Sequence, residues 1–122
     1  MEKEKIKSYR DLQVWQKAVE IAVLVYQITG SFPKSEQYGL SSQMQRAAVS
    51  VASNIAEGHC RSRKHFGNYL EIALGSLAEL ETQAEIARRI NYLPESTYLD
   101  LSDKLTALGR QLNTLHQRIT SN

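Results

Sequence analysis

Four apolar stripes, advancing by three or four residues apart from the adjacent pair Ala47-Ala48, constrain this chain more than any other feature. The cleanest is Leu101, Leu105, Leu108, Leu112, Leu115 and Ile119. A second runs Val14, Ala18, Ile21, Val25, Ile28, and a third Leu40, Met44, Ala47, Ala48, Val51, Ile55. The fourth is Phe66, Leu70, Ala73, Leu77, Leu80, Ala84, Ala87. This period lines one face of an α-helix and does not fit the two-residue alternation of a strand. Only 6 Gly and 2 Pro occur in 122 residues, too few breakers for a many-turned β protein.

The breakers that exist fall between the stripes. The spacing predicts a first helix over residues 11–29, stopped by Gly30 in the left-handed conformation that glycine accepts. Ser35 is a suitable N-cap for the second helix, with Glu36 facing its positive end. Gly39 would lie inside that helix and weaken it, and Gly58 would end it. Ser62 is the N-cap candidate for the third helix, expected to reach about residue 90. Asn91 can then take the left-handed end position, and Pro94 cannot continue the helix. The fourth is expected over residues 96–119. Short connections make successive helices antiparallel neighbours. The expected class is therefore all-α, an antiparallel up-down-up-down four-helix bundle. Residues 1–8 read as a solvated tail and residues 9–122 as one bundle domain.

Several classes are disfavoured by composition. Lys and Arg total 15 against 13 acids, a net charge of +2, which does not announce a nucleic-acid binder but leaves room for a local patch. Cys60 stands alone, so no internal disulfide forms and no cysteine-based zinc site can be assembled. The first residues alternate acid and base and lack the apolar core of a signal peptide. The longest apolar run, residues 21–26, is far shorter than a membrane span. The expectation is a soluble cytoplasmic protein with no membrane partner.

Three helices carry a second apolar face. Trp15, Val19, Ala22 and Tyr26 repeat at 4-3-4, roughly 100° around the first helix from its core stripe. Val49, Ala52 and Ala56 do the same on the second, and Ile72, Ile86 and Ile90 leave the core face of the third. A compact bundle half-burying its flanks is one reading. A subunit interface is preferred, because a contiguous apolar patch rarely stays exposed, and Trp15 and Tyr26 suit the role of anchors.

Signals of catalysis are weak. His59, Cys60 and His65, with Glu57 nearby, match no tetrahedral metal pattern. Cys60 beside Arg61 has no base–orienter pair to make it a nucleophile. The glycines form neither GxGxxG nor a P-loop, so no cofactor is expected. Glu71, Glu79, Glu81 and Glu85 share the third helix, but the Glu-x-x-His motif of di-metal bundles is missing, because Arg88 stands where His is needed. Glu85 and Arg89 instead suit an i,i+4 ion pair. No catalytic residue and no metal ligand is therefore assigned.

The densest basic segment is Arg61-Ser62-Arg63-Lys64-His65, at the turn where the third helix exposes its first N–H groups. Arg61, Arg63 and Lys64 are candidates for holding phosphates of RNA or DNA, with Arg46, Arg88 and Arg89 as further candidates. A merely solvated loop is the competing reading for one subunit. A ring of subunits would repeat the patch and build a larger positive field. Tyr38, Tyr69, Tyr92 and Tyr98 read as packing residues. Asn54 sits at the border of a core stripe, where its amide can satisfy a helix end or fix register. Gly75 and Ser76, mid-helix, suggest close approach of another helix.

These residues carry a resemblance. Tyr9-Arg10-Asp11-Leu12-Gln13-Val14-Trp15 with Ala18, then Phe32-Pro33, Glu36 and Tyr38-Gly39-Leu40 follow a familiar order. So do Gln43, Arg46-Ala47-Ala48, Asn54-Ile55-Ala56-Glu57-Gly58, Arg61, Phe66, Leu70, Ile72-Ala73, Gly75-Ser76 and Glu79-Leu80-Glu81. Over residues 9–93 the chain resembles the 23S rRNA intervening-sequence proteins of bacteria. The resemblance implies an antiparallel four-helix bundle, assembly with itself into homopentameric rings and, for some members, a gene inside a ribosomal RNA insertion. That family is similar to the accessory variability determinant of diversity-generating retroelements, a basic pentamer that binds nucleic acid and a reverse transcriptase. The implied partners are thus further copies of the chain, RNA or DNA, and a protein such as a reverse transcriptase. The weak charge of this chain departs from that basic relative. A protein-interaction scaffold with no nucleic-acid role is the alternative.

Overall fold

The computed structural model describes residues 6–121. Four helices follow in order: α1 (Gln13–Thr29), α2 (Leu40–His59), α3 (Arg63–Arg89) and α4 (Glu95–Thr120). Single 3-10 turns cover Tyr9–Asp11 and Lys34–Glu36, and there is no strand among the described residues. The pairs α1–α2, α2–α3, α3–α4 and α4–α1 pack side by side, α2–α3 most extensively, whereas neither diagonal pair approaches. This is the expected antiparallel up-down-up-down bundle.

All four stripes point inward. Met44, Ile55, Leu70, Leu80, Leu101 and Leu112 are fully buried, and each of these is a stripe residue. Burying a side chain of this size contributes about 1.5–3 kcal/mol. Leu115 and Ile119 are only half-buried, near the free end of α4. Leu99 is exposed, so α4 is less one-sided than its stripe suggests.

The helix ends differ more from expectation. Residues 1–5 of the anticipated tail lie outside the described residues, and the rest of it is partly held by hydrogen bonds. Ser8 Oγ accepts the Arg10 N–H at 3.1 Å, and the Asp11 carboxylate accepts the N–H groups of Lys7 and Ser8 at 2.8 and 3.2 Å. Those two donors hold the Asp11 carboxyl below its ordinary range. Leu12 is extended and buried, which delays α1 to Gln13. Gly30 is right-handed, with φ −61°, not left-handed. The turn closes instead through Ser31 and Phe32 N–H groups on the carbonyls of Ile28 and Thr29, at 3.2 and 3.1 Å.

Ser35 does not cap α2. It lies in the 3-10 turn, and α2 starts five residues later, after Gly39. The Glu36 carboxylate does the capping, accepting the Leu40 N–H at 3.1 Å. Gly39 is therefore outside the helix, and a Cβ there would lie 2.6 Å from Glu36 Oε1. Gly58 does not end α2 either. It is buried in the last turn, where a Cβ would meet Tyr69 Cβ at 2.5 Å, so its bareness lets α2 and α3 close together.

Two of the sequence-based caps hold. Ser62 caps α3, accepting the His65 N–H at 3.5 Å. Asn91 is left-handed, with φ 66°, and Tyr92 and Asn91 N–H groups bond the carbonyls of Ala87 and Arg88 at 2.9 and 3.1 Å. That is a Schellman ending. Ser76 behaves as anticipated, bonding Ser50 across α2–α3 at 2.8 Å, while Asn54 donates back to Ser50 within its own helix. Gly75 does not, since a Cβ there would have nothing within 4 Å.

Candidate assembly groove and basic surface

The seven residues assigned to a subunit interface converge. Trp15, Val19, Ala22 and Tyr26 of α1 and Val49, Ala52 and Ala56 of α2 line one groove of about 510 Å³ between the two helices. Tyr9, Val23 and Ser53 complete it, so no lining residue carries a charge. Val23, Tyr26 and Val49 are 53%, 52% and 42% exposed, which makes this an open apolar surface of the single chain rather than a flank of its core. Trp15 is half-buried, edge-on to the Tyr9 ring at 5.2 Å, with the Arg10 guanidinium 5.5 Å from its centroid. Ala52 is buried, contributing floor rather than rim. Sequence reasoning missed Val23, which follows Ala22 and belongs to neither stripe. The signal was the unbroken apolar run of residues 21–26.

The six basic candidates do not form one patch. Arg61, Arg63 and Lys64 sit at the α2–α3 turn, and Arg88 and Arg89 at the far end of α3, about 37 Å away at 1.5 Å per residue. Arg46 is exposed on α2, beside a shallow cleft with Gln43, Ser50 and Glu79.

Their charges are also unequally available. Arg63 donates to the carbonyls of Ile119 and Arg118, at 3.0 and 3.2 Å, and so caps the end of α4. Arg88 and Arg89 both bond Glu85, at 2.6 and 2.8 Å, and Arg88 lies over the Tyr98 ring. With Tyr98 Oη as a third donor, Arg89 and Arg88 hold the Glu85 carboxyl down at about 2. Arg61 pairs with Glu57 at 3.0 Å but remains half exposed. Arg46 and Lys64 have no ion pair among the described residues. The antiparallel topology brings Arg10 and Arg118 to the same end of the bundle as Arg61 and Lys64, an addition that linear spacing could not reveal.

The remaining polar residues point apart. His59 is edge-on to Phe66 at 5.6 Å, His65 bonds Ser62, and Glu57 accepts from Arg61 and Tyr69. Cys60 is exposed. Among the described residues no three His, Cys, Asp or Glu side chains gather as a metal site, and no helix is long and apolar enough to cross a membrane. Of the four tyrosines read as packing, Tyr92 leans on Phe32 at 5.4 Å and bonds Glu36 at 3.1 Å. That bond, with burial, pushes its phenol up. Tyr38 is 90% exposed, because it lies in the turn before α2 and not on a helix face.

A family model described as 23S rRNA-intervening sequence protein matches residues 10–114. The chain is also similar to the crystal structure of a protein of unknown function from the S23 ribosomal protein family of Bacteroides thetaiotaomicron. The two are 27% identical with a TM-score of 0.76, over 88% of this chain and 99% of that one. No curated protein matches the sequence.

Proposed function

The chain belongs to the 23S rRNA-intervening sequence protein family, and from that premise we propose a non-enzymatic helical scaffold that assembles with its own copies and associates with RNA or DNA. The observation that carries the reading is the uncharged α1–α2 groove, which leaves Val23, Tyr26 and Val49 in water unless another molecule covers them. A patch of this kind marks an interaction surface. The resemblance in sequence favours five copies. In a ring, the Arg61 and Lys64 ends repeat about an axis, and their field draws a polyanion without reading its bases.

Fluorescence anisotropy with a structured RNA, across a salt series, tests the nucleic-acid half. Affinity falls as salt rises, and the slope shrinks by about one for each phosphate contact removed. An Arg61→Ala, Lys64→Ala variant loses about two units of slope. An unchanged slope removes those residues from the reading. A protein-interaction scaffold, with a partner such as a reverse transcriptase, is the second reading. It is favoured by the engagement of Arg63, Arg88 and Arg89 with the chain's own acceptors. Salt-independent retention of a protein partner with no RNA affinity would select it.

A further inference from the structure

Among the four pairs of neighbouring helices, α1 and α4 touch least. Where the start of α1 meets the last turns of α4, a groove of about 380 Å³ opens between them. Its aliphatic lining includes Leu12, which is buried, Leu115, which is half-buried, and Ile6, which is 54% exposed. Arg110 and Arg118 of α4 edge it, and both are exposed. Neither guanidinium has an ion pair or a hydrogen-bond partner among the described residues. They stand eight residues apart on one helix, about 12 Å at 1.5 Å per residue. No acid lines the groove, and the Asp11 carboxylate at the same end is taken by the N–H groups of Lys7 and Ser8. Gln111 also lines it, with its Oε1 shielded from water and without a hydrogen-bond partner. A seam completed within the protomer would satisfy such an acceptor.

We infer that the α1–α4 groove receives an acidic amphipathic helix of a different protein, with aliphatic side chains on one face and carboxylates flanking them. Charge complementarity selects this partner. Two such cations beside an aliphatic floor favour an occupant that brings carboxylates and apolar side chains together. Carboxylates at i and i+7 of a helix are about 10.5 Å apart along its axis, close to the spacing of Arg110 and Arg118. Aliphatic residues between them, at i+3 and i+4, then face Ile6 and Leu115. A nucleic acid would find cations for its phosphates here, but no aromatic ring lines the groove on which a base could stack. The inference goes beyond the assembly and nucleic-acid readings, neither of which uses this groove.

Fluorescence anisotropy with the full-length chain tests this. The probe is a fluorescein-labelled helical peptide with Leu at every third or fourth position and Glu on both sides of that stripe. Its control carries Lys at every Glu. The acidic peptide is expected to bind the wild type and to lose affinity by at least about tenfold in the Arg110→Glu, Arg118→Glu variant, because like charges then face each other. The Lys peptide is expected to do the reverse, passing over the wild type and binding that variant. Ile6→Ser keeps both arginines and weakens the acidic peptide too, which attraction between charges alone would not do. All three substituted side chains are exposed, so circular dichroism stays that of the wild type. Absence of acidic-peptide binding to the wild type, or equal binding to wild type and double variant, overturns the inference. Displacement of the peptide by an oligouridine strand would give the groove to nucleic acid, and a fall in the assembled mass of the double variant would give it to another copy. Either result overturns it as well, and leaves the α1–α2 groove reading standing.

Discussion

The guanidinium of Arg63, in the first residue of α3, donates to the carbonyl oxygen of Ile119 in the last turn of α4 at 3.0 Å. A cation at a helix C-terminus satisfies carbonyls that have no partner within their own helix. Arg63 was a phosphate candidate in the sequence, and its first role in the fold is to fasten the end of the chain. Arg63→Ala is expected to lower stability by about 0.5–1 kcal/mol and to fray the last turn of α4. Lys64→Ala, one residue on, leaves both unchanged. Thermal denaturation and amide exchange of residues 116–120 check this.

Gly58 is a packing device. A methyl group there would meet Tyr69 Cβ at 2.5 Å and Phe66 Cδ1 at 3.0 Å, on the helix that packs most closely against α2. Overpacking of this kind costs typically about 1–3 kcal/mol. Gly58→Ala is expected to fall in that range by urea denaturation, although alanine is the better helix former. A stabilised variant would show that α2 and α3 can slide apart freely.

Glu85 gives the protein an acid-sensitive clamp. Its carboxyl, ordinarily near 4.5, is held at about 2 by Arg89, Arg88 and Tyr98. A depressed value means that the stabilisation is present above 4.5 and is lost as pH falls through about 2. Glu85→Gln is therefore expected to lower the melting temperature at neutral pH and to converge with the wild type toward pH 2. A constant gap across that window contradicts the clamp.

Exposed groove residues separate assembly from folding. Tyr26→Asp changes a side chain that is 52% exposed, so the helical signal survives while the assembled mass falls. Leu105→Ala, fully in the core, behaves oppositely and costs about 2–5 kcal/mol in stability.

The four stripes and the second apolar face of α1 and α2 were legible because periodicity alone decides which side of a helix is apolar. Ser62 and Asn91 were legible because their chemistry suits one local geometry. Ser35 was not, because Glu36 reaches forward to Leu40 and a 3-10 turn over Lys34–Glu36 displaces the helix start. Gly30, Gly58 and Gly75 each misled for one reason. A glycine marks freedom or bareness, and only three-dimensional neighbours tell which. The basic candidates were visible as charges and the Glu85–Arg89 pair from its i,i+4 spacing, whereas the capture of Arg63 by the end of α4 follows from antiparallel packing.

Multi-angle light scattering of the purified wild-type chain on gel filtration tests the covered groove most directly. The account predicts one species with a mass several times that of the chain, five-fold if the ring proposed from the sequence resemblance forms. A single peak at the mass of one chain, with Val23, Tyr26 and Val49 left in water, contradicts it.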